Sequence, residues 1–216
     1  MMAAPDHPGD PRMPSPFIPP MIPRLVTAPP TGADWRHEVK FDGFRAQAHI
    51  ADGDVTIYSR NGVDFTHRFR QLLPTLAALP CRSAIVDGEI IACDPDGKPD
   101  FAALMRKGPR PAVSFVAFDV LALDGTSLLA EPIETRRAAL TQLLRGAPRD
   151  GGVMISETFE DGTALLEACE RLGLEGIVSK RRASRYRSGP AHNWLKVKTT
   201  AWRQANRAHF RRDRVP

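Results

Sequence analysis

Lys40 stands in the run Glu38-Val39-Lys40-Phe41-Asp42-Gly43-Phe44-Arg45, at the end of an apolar strand and just ahead of an Asp-Gly turn. A lysine so placed can project into a cleft. Its neutral amine is a competent nucleophile once desolvation or a neighbouring cation lowers its pKa, and Arg45 is a candidate for that cation. The ordinary alternative is a charged strand end followed by a hairpin turn. Side chains alternate between the two faces of a strand, so Glu38 with Lys40, Asp87 with Glu89, and Lys196 with Lys198 would each share a face. Carboxylates and amines could then line a single cleft.

The elements that must position these groups are mostly short strands. Runs near 36–41, 44–51, 54–59, 84–92, 113–121, 153–156, 175–181 and 194–199 read as strands, with turns at Asp52-Gly53 and Asp124-Gly125. Helices fit 67–79, 100–107, 132–145 and 162–172, the last two carrying apolar residues at helical spacing, such as Leu165, Leu166, Cys169 and Leu172. Because several strands follow one another directly, the pattern predicts an α+β domain of largely antiparallel sheets flanked by helices. Half of the 20 prolines fall within residues 1–30. Residues 1–16 are expected to be disordered, while the stretch from Phe17 to Pro30 interleaves apolar residues with prolines and should lie against the domain.

At 216 residues the chain fits one well-buried domain with tails. No apolar run approaches the ~18 residues a membrane span requires, and no export signal is evident, so a cytoplasmic protein without membrane attachment is expected. Cys81, Cys93 and Cys169 lack the spacing of a zinc site or disulfide framework. The net charge of +5 is concentrated at the C-terminus, where residues 201–216 carry five arginines against one aspartate. Arg203, Arg207 and Arg211, four apart, would align on one face of a short helix and could contact phosphates.

Six segments in order resemble the covalent nucleotidyltransferase superfamily of DNA ligases, RNA ligases and capping enzymes, whose first motif is KxDGxR. After Lys40 to Arg45 come Tyr58 to Gly62, Val86 to Glu89, Phe118 to Leu121 with Leu123 to Gly125, Leu174 to Lys180, and Trp194 to Lys198. Any one alone would be weak. Within the superfamily the likeness is to the ligase domain of bacterial end-joining DNA ligases, which share the entry resembled by Phe17 to Met21 and a Ser-x-Tyr-x-x-Gly segment resembled by Ser184, Tyr186 and Gly189.

The resemblance implies an ATP-grasp-like nucleotidyltransferase fold over residues 17–200, ATP as AMP donor, Mg2+, and nicked double-stranded DNA as substrate in repair or recombination. Lys40 would attack the α-phosphate and carry AMP. Glu38 would read the adenine amino edge, Glu89 hold the ribose hydroxyls, Phe118 stack the base, and Arg45 and Arg60 contact the nucleotide. Lys196 and Lys198 suit the phosphate oxygens, and Glu175 and then Glu89 suit the metal. Family members usually continue into an oligonucleotide-binding barrel, but only 18 residues follow Lys198. Three expectations result: a minimal nucleoid-associated enzyme whose basic tail grips DNA, a catalytic subunit that borrows a barrel or end-joining partner, or a non-catalytic remnant that binds ATP or DNA.

Overall fold

The computed structural model describes residues 17–94, 97, 99–106, 112–148 and 152–206. In order these form β1 (Met21–Leu25), β2 (Trp35–Lys40), β3 (Phe44–Ala51), β4 (Asp54–Ser59), α1 (Leu73–Ala77), β5 (Ser83–Ala92), α2 (Phe101–Met105), β6 (Val113–Leu123), β7 (Thr126–Ser127), α3 (Ile133–Leu144), β8 (Val153–Ile155), α4 (Gly162–Leu172), β9 (Gly176–Arg181), β10 (Gly189–Lys198) and α5 (Thr200–Ala205). The tail expected over 1–16, and with it Arg207 and Arg211, lies outside the described residues.

The strands form two sheets. One runs β1-β10-β9-β2 and the other β4-β3-β5-β6-β7, with β8 added beside β6. Pairing is antiparallel except for β1 on β10 and β8 on β6. The β3–β4 and β6–β7 hairpins turn on Asp52-Gly53 (φ 49° and 88°) and Asp124-Gly125 (φ 48° and 80°), the positive φ pairs that match the twist of the flanking strands. Helix α4 starts on Asp161, whose side chain accepts from the amides of Thr163 and Ala164, and ends on left-handed Gly173.

Strand alternation divides the core. Ala46, Ala48, Ala84, Val86 and Ile90 point outward from the larger sheet to a core closed by Leu72, Leu76, Leu140 and Leu143. Ile85 and Leu121, on the other face, meet Met21, Ala191 and Trp194 of the smaller sheet. The space between the sheets is therefore part core and part cleft. Burying this many apolar side chains is the main force holding the sheets together.

Two expectations change. The single helix over 67–79 is a 3-10 turn (Arg70–Leu72) running into the short α1, which has Pro74 in its first turn. The proline-rich lead-in is partly a strand, β1, which carries Pro23 and sits at the edge of its sheet, so its composition does not read as a strand.

Candidate active site

A cleft of about 520 Å³ opens between the two sheets and is lined by Glu38, Lys40, Arg45, Arg60, Glu89, Phe118, Lys180, Trp194 and Lys196 among others. Its floor follows from register. Lys40 pairs with Gly176, and Glu38 with Val178, so the two charged side chains of β2 emerge on one face against β9. Arg45 of β3 pairs with Glu89 of β5, which brings the opposite wall's charges side by side.

Asp42-Gly43 and Asp87-Gly88 have the composition of ordinary hairpin turns, and neither is one. Asp42-Gly43 carries the chain from β2 in one sheet to β3 in the other, and Asp87-Gly88 lies inside β5. A Cβ on Gly43 would stand 2.3 Å from the carbonyl oxygen of Ile90, so the crossover passes too close to β5 for any side chain.

At one end of the cleft Lys40 Nζ donates to Glu175 Oε2 at 2.9 Å, and Lys198 Nζ lies 3.2 Å from Glu175 Oε1. Burial works against the Lys40 ammonium, but Glu175 and then Glu89 outweigh it and the pKa is raised. This corrects the expectation that neighbouring cations would lower it. Arg45 does not act on the Lys40 amine, because its guanidinium pairs with Asp87 at 2.8 Å and donates to the Met21 carbonyl at 2.6 Å. Burial pushes the Glu89 carboxyl up to about 7, against the pull of Lys40 and Arg45.

At the other end the Glu38 carboxylate, buried, pairs with Lys180 at 2.9 Å and with Arg137 at 3.5 Å. Lys180 Nζ sits 4.5 Å from the ring centroids of both Phe118 and Trp194, and burial holds its pKa below the ordinary lysine value in spite of Glu38. Phe118 is half-buried with its ring steeply inclined to that of Trp194, at an interplanar angle of 78°, and Arg60 is exposed at the mouth.

Glu38, Lys40, Arg45, Arg60, Glu89, Phe118 and Lys196 all line the one cleft. Asp87 is not at the surface of the cleft but beneath it, fully buried under Arg45 and Tyr186. Lys198 faces Glu175 and the Trp202 ring (3.7 Å) of α5, whose indole donates to Asp42 Oδ2 at 3.2 Å. Arg203 is half-buried on α5. Sequence reasoning misses Lys180 as a site residue, although it closes the Leu174 to Lys180 segment and alternates onto the face of Val178; its pairing with a residue 142 positions away has no local signal. Trp194, to which the sequence alone assigns no role, is a cleft wall and 1 % exposed, whereas His192 is exposed.

No cluster of three or more metal-ligating side chains occurs among the described residues. Glu175 and Glu89 flank Lys40, so the donor set fits a hard divalent ion that takes one or two carboxylates and completes its shell with phosphate and water.

Residues 26–198 match the family described as ATP dependent DNA ligase domain. The chain is 38% identical over 185 residues to the multifunctional non-homologous end joining protein LigD of Pseudomonas aeruginosa, covering 84% of this chain and 22% of that protein. It is 36% identical over 176 residues to DNA ligase B of Mycobacterium tuberculosis, covering 74% and 34%. The chain thus spans about a fifth to a third of the length of these relatives. Among solved structures, a mycobacterial DNA ligase D complexed with ATP and MES superposes with a TM-score of 0.74 at 32% identity, covering 83% of this chain and 59% of that one.

Proposed function

The chain belongs to the ATP-dependent DNA ligase family, and from that membership we propose that its cleft performs covalent adenylation, with Lys40 as the nucleophile. The Lys40 amine attacks the α-phosphate of ATP, a P–N bond forms as the bond to the pyrophosphate oxygen breaks, and the amine proton leaves. AMP then passes to the 5′-phosphate of a nicked double-stranded DNA, and the 3′-hydroxyl displaces it.

The observation that carries the reading is the placement of two ion pairs along one strand: Lys40 with Glu175, and Glu38 with Lys180 beneath Phe118. Residues two apart on a strand stand roughly 7 Å apart, on the scale of a nucleoside. Glu38 accepts and Lys180 donates, which complements the adenine edge, where an amino donor neighbours a ring-nitrogen acceptor. Phe118 offers a face for the base, Glu89 a carboxyl for the ribose, and Arg45 and Arg60 the flanking walls. Lys196 and Lys198 supply positive charge for the phosphates. Glu175 would hold Mg2+, with Glu89 as the second candidate ligand in place of its ribose contact, and the ion would supply positive charge at the α-phosphate.

Arg203, Arg207 and Arg211 are proposed as auxiliary DNA contacts, and the site of action is proposed as the bacterial nucleoid. No helix among the described residues is long and apolar enough to cross a membrane. A non-catalytic remnant is disfavoured because every candidate catalytic side chain is present and in reach of its neighbours.

The test is intact-mass measurement after incubation with ATP and magnesium. The chain should gain one AMP, and Lys40→Ala should gain none; a folded wild-type chain that never gains AMP would overturn the reading.

A further inference from the structure

The Ser184-x-Tyr186-x-x-Gly189 segment, between β9 and β10, has no part in the chemistry above, yet it is unusually well fastened. Ser184 and Tyr186 are 2 % and 5 % exposed, whereas Arg185 and Arg187 between and after them are exposed. Ser184 Oγ accepts from the Trp194 indole at 3.3 Å, and its carbonyl accepts from Arg136 at 3.1 Å. The Tyr186 amide donates to the Leu129 carbonyl at 3.0 Å, and its hydroxyl donates to Asp87 at 2.8 Å and accepts from the Met21 amide at 3.0 Å. Gly189 closes the segment by donating to the Pro20 carbonyl at 3.0 Å.

The charge on this segment is uncompensated. No aspartate or glutamate occurs between Glu175 and Asp213. Just upstream, Arg181 pairs with Asp34 at 3.4 Å, and Arg182 with Glu134 at 3.2 Å and with Glu160, so those two are neutralised from other elements. Arg185 and Arg187 make no ion pair with any described residue.

We propose that the β9–β10 segment is a contact ridge for the phosphodiester backbone of duplex DNA, with Arg185 and Arg187 as its gripping groups and Ser184 and Tyr186 as the anchors that hold them out. The ridge rests on the adenylating reading of the cleft, which supplies the reason for duplex DNA as the partner. Tyr186 is buried on Asp87, directly under Arg45, while its two neighbours are exposed and do not line the cleft, so the arginines are turned away from the ATP phosphates. Two guanidiniums two residues apart have the reach to bridge neighbouring phosphates, and anchoring their backbone in advance lowers the ordering cost of binding. Guanidinium contacts to phosphate carry no base information, so the ridge would position the duplex without reading its sequence.

The experiment compares the full chain with the Arg185→Gln/Arg187→Gln double variant, measuring Kd for a nicked duplex over a salt series and, separately, self-adenylation with ATP in the absence of DNA. Loss of two phosphate contacts should lower the slope of log K against log salt by about 1.8 and weaken binding roughly tenfold or more at low salt. Self-adenylation should be unchanged. Arg181→Gln, already neutralised by Asp34, should leave the slope where it is. An unchanged slope and Kd in the double variant, or an equal effect from Arg181→Gln, overturns the ridge. Failure of the wild-type chain to adenylate would instead overturn the reading of the cleft, and the two failures are read from separate measurements.

Discussion

The Lys40 ammonium and the Glu175 carboxylate, 2.9 Å apart, would be the resting state of the proposed nucleophile. An amine attacks only when neutral, and here the neighbouring carboxylates raise the pKa, so the neutral fraction falls below that of a free lysine at any given pH. The sign is clear for the rate. Single-turnover self-adenylation should rise about tenfold per pH unit below the Lys40 pKa, in step with the neutral fraction. Removing the carboxylate with Glu175→Gln should move the rise toward lower pH, with a lower maximal rate for loss of the proposed metal ligand. A quenched time course from mildly acidic to strongly alkaline buffer measures both, and a rise that stays in place would show that Glu175 does not set the amine's state. Lys40 itself is visible in sequence because KxDG is a local string. Its partner is visible only as a glutamate in another string, since the contact joins positions 135 residues apart.

At the scale of elements, the strands are legible wherever alternation is clean. In β5 the even positions, Ala84, Val86 and Ile90, are core, and the odd positions, Asp87 and Glu89, face the second sheet; that division needs only a period of two. The glycines of the motifs are legible as residues but not as reasons. Gly176 has φ 151°, and a Cβ there would stand 2.0 Å from the Val197 carbonyl oxygen of β10. It sits opposite Lys40 and Lys198 in the register of the smaller sheet. Gly176→Ala should therefore separate β9 from β10, destabilising the fold by about 3 kcal/mol or more and displacing Glu175. Urea unfolding with an intact-mass adenylation assay on the same variant checks both. β1 and the shortened α1 escape the sequence for another reason: Pro23 and Pro74 obscure the patterns from which elements are read.

For the whole molecule the question is what holds two sheets at the distance a nucleotide needs. Arg136 of α3, fully buried, forks onto both oxygens of Asp119 in the larger sheet at 2.7 and 2.8 Å, and donates to the carbonyls of Glu131 and Ser184. Its guanidinium also lies 5.8 Å from the Tyr186 ring centroid. Removing one partner strands a buried charge, so Arg136→Ala should cost about 3–5 kcal/mol in denaturant unfolding. Arg136→Ala/Asp119→Ala, with both charges gone, should recover part of that loss; a double-variant loss equal to the sum of the two single losses would mean the fork contributes nothing beyond packing.

Composition, local periodicity and six ordered strings are enough to establish the class of fold, the order of nearly all its elements, the family and the candidate nucleophile, because each of these is written in residues close together along the chain. What the tertiary structure decided is which charges meet. The pairing of Lys40 and Lys198 with Glu175, of Glu38 with Lys180 and of Arg45 with Asp87, and the outward display of Arg185 and Arg187 all depend on strand register and on the facing of two sheets. Such pairings form between residues that folding alone brings within the few ångströms over which ion pairs and hydrogen bonds act.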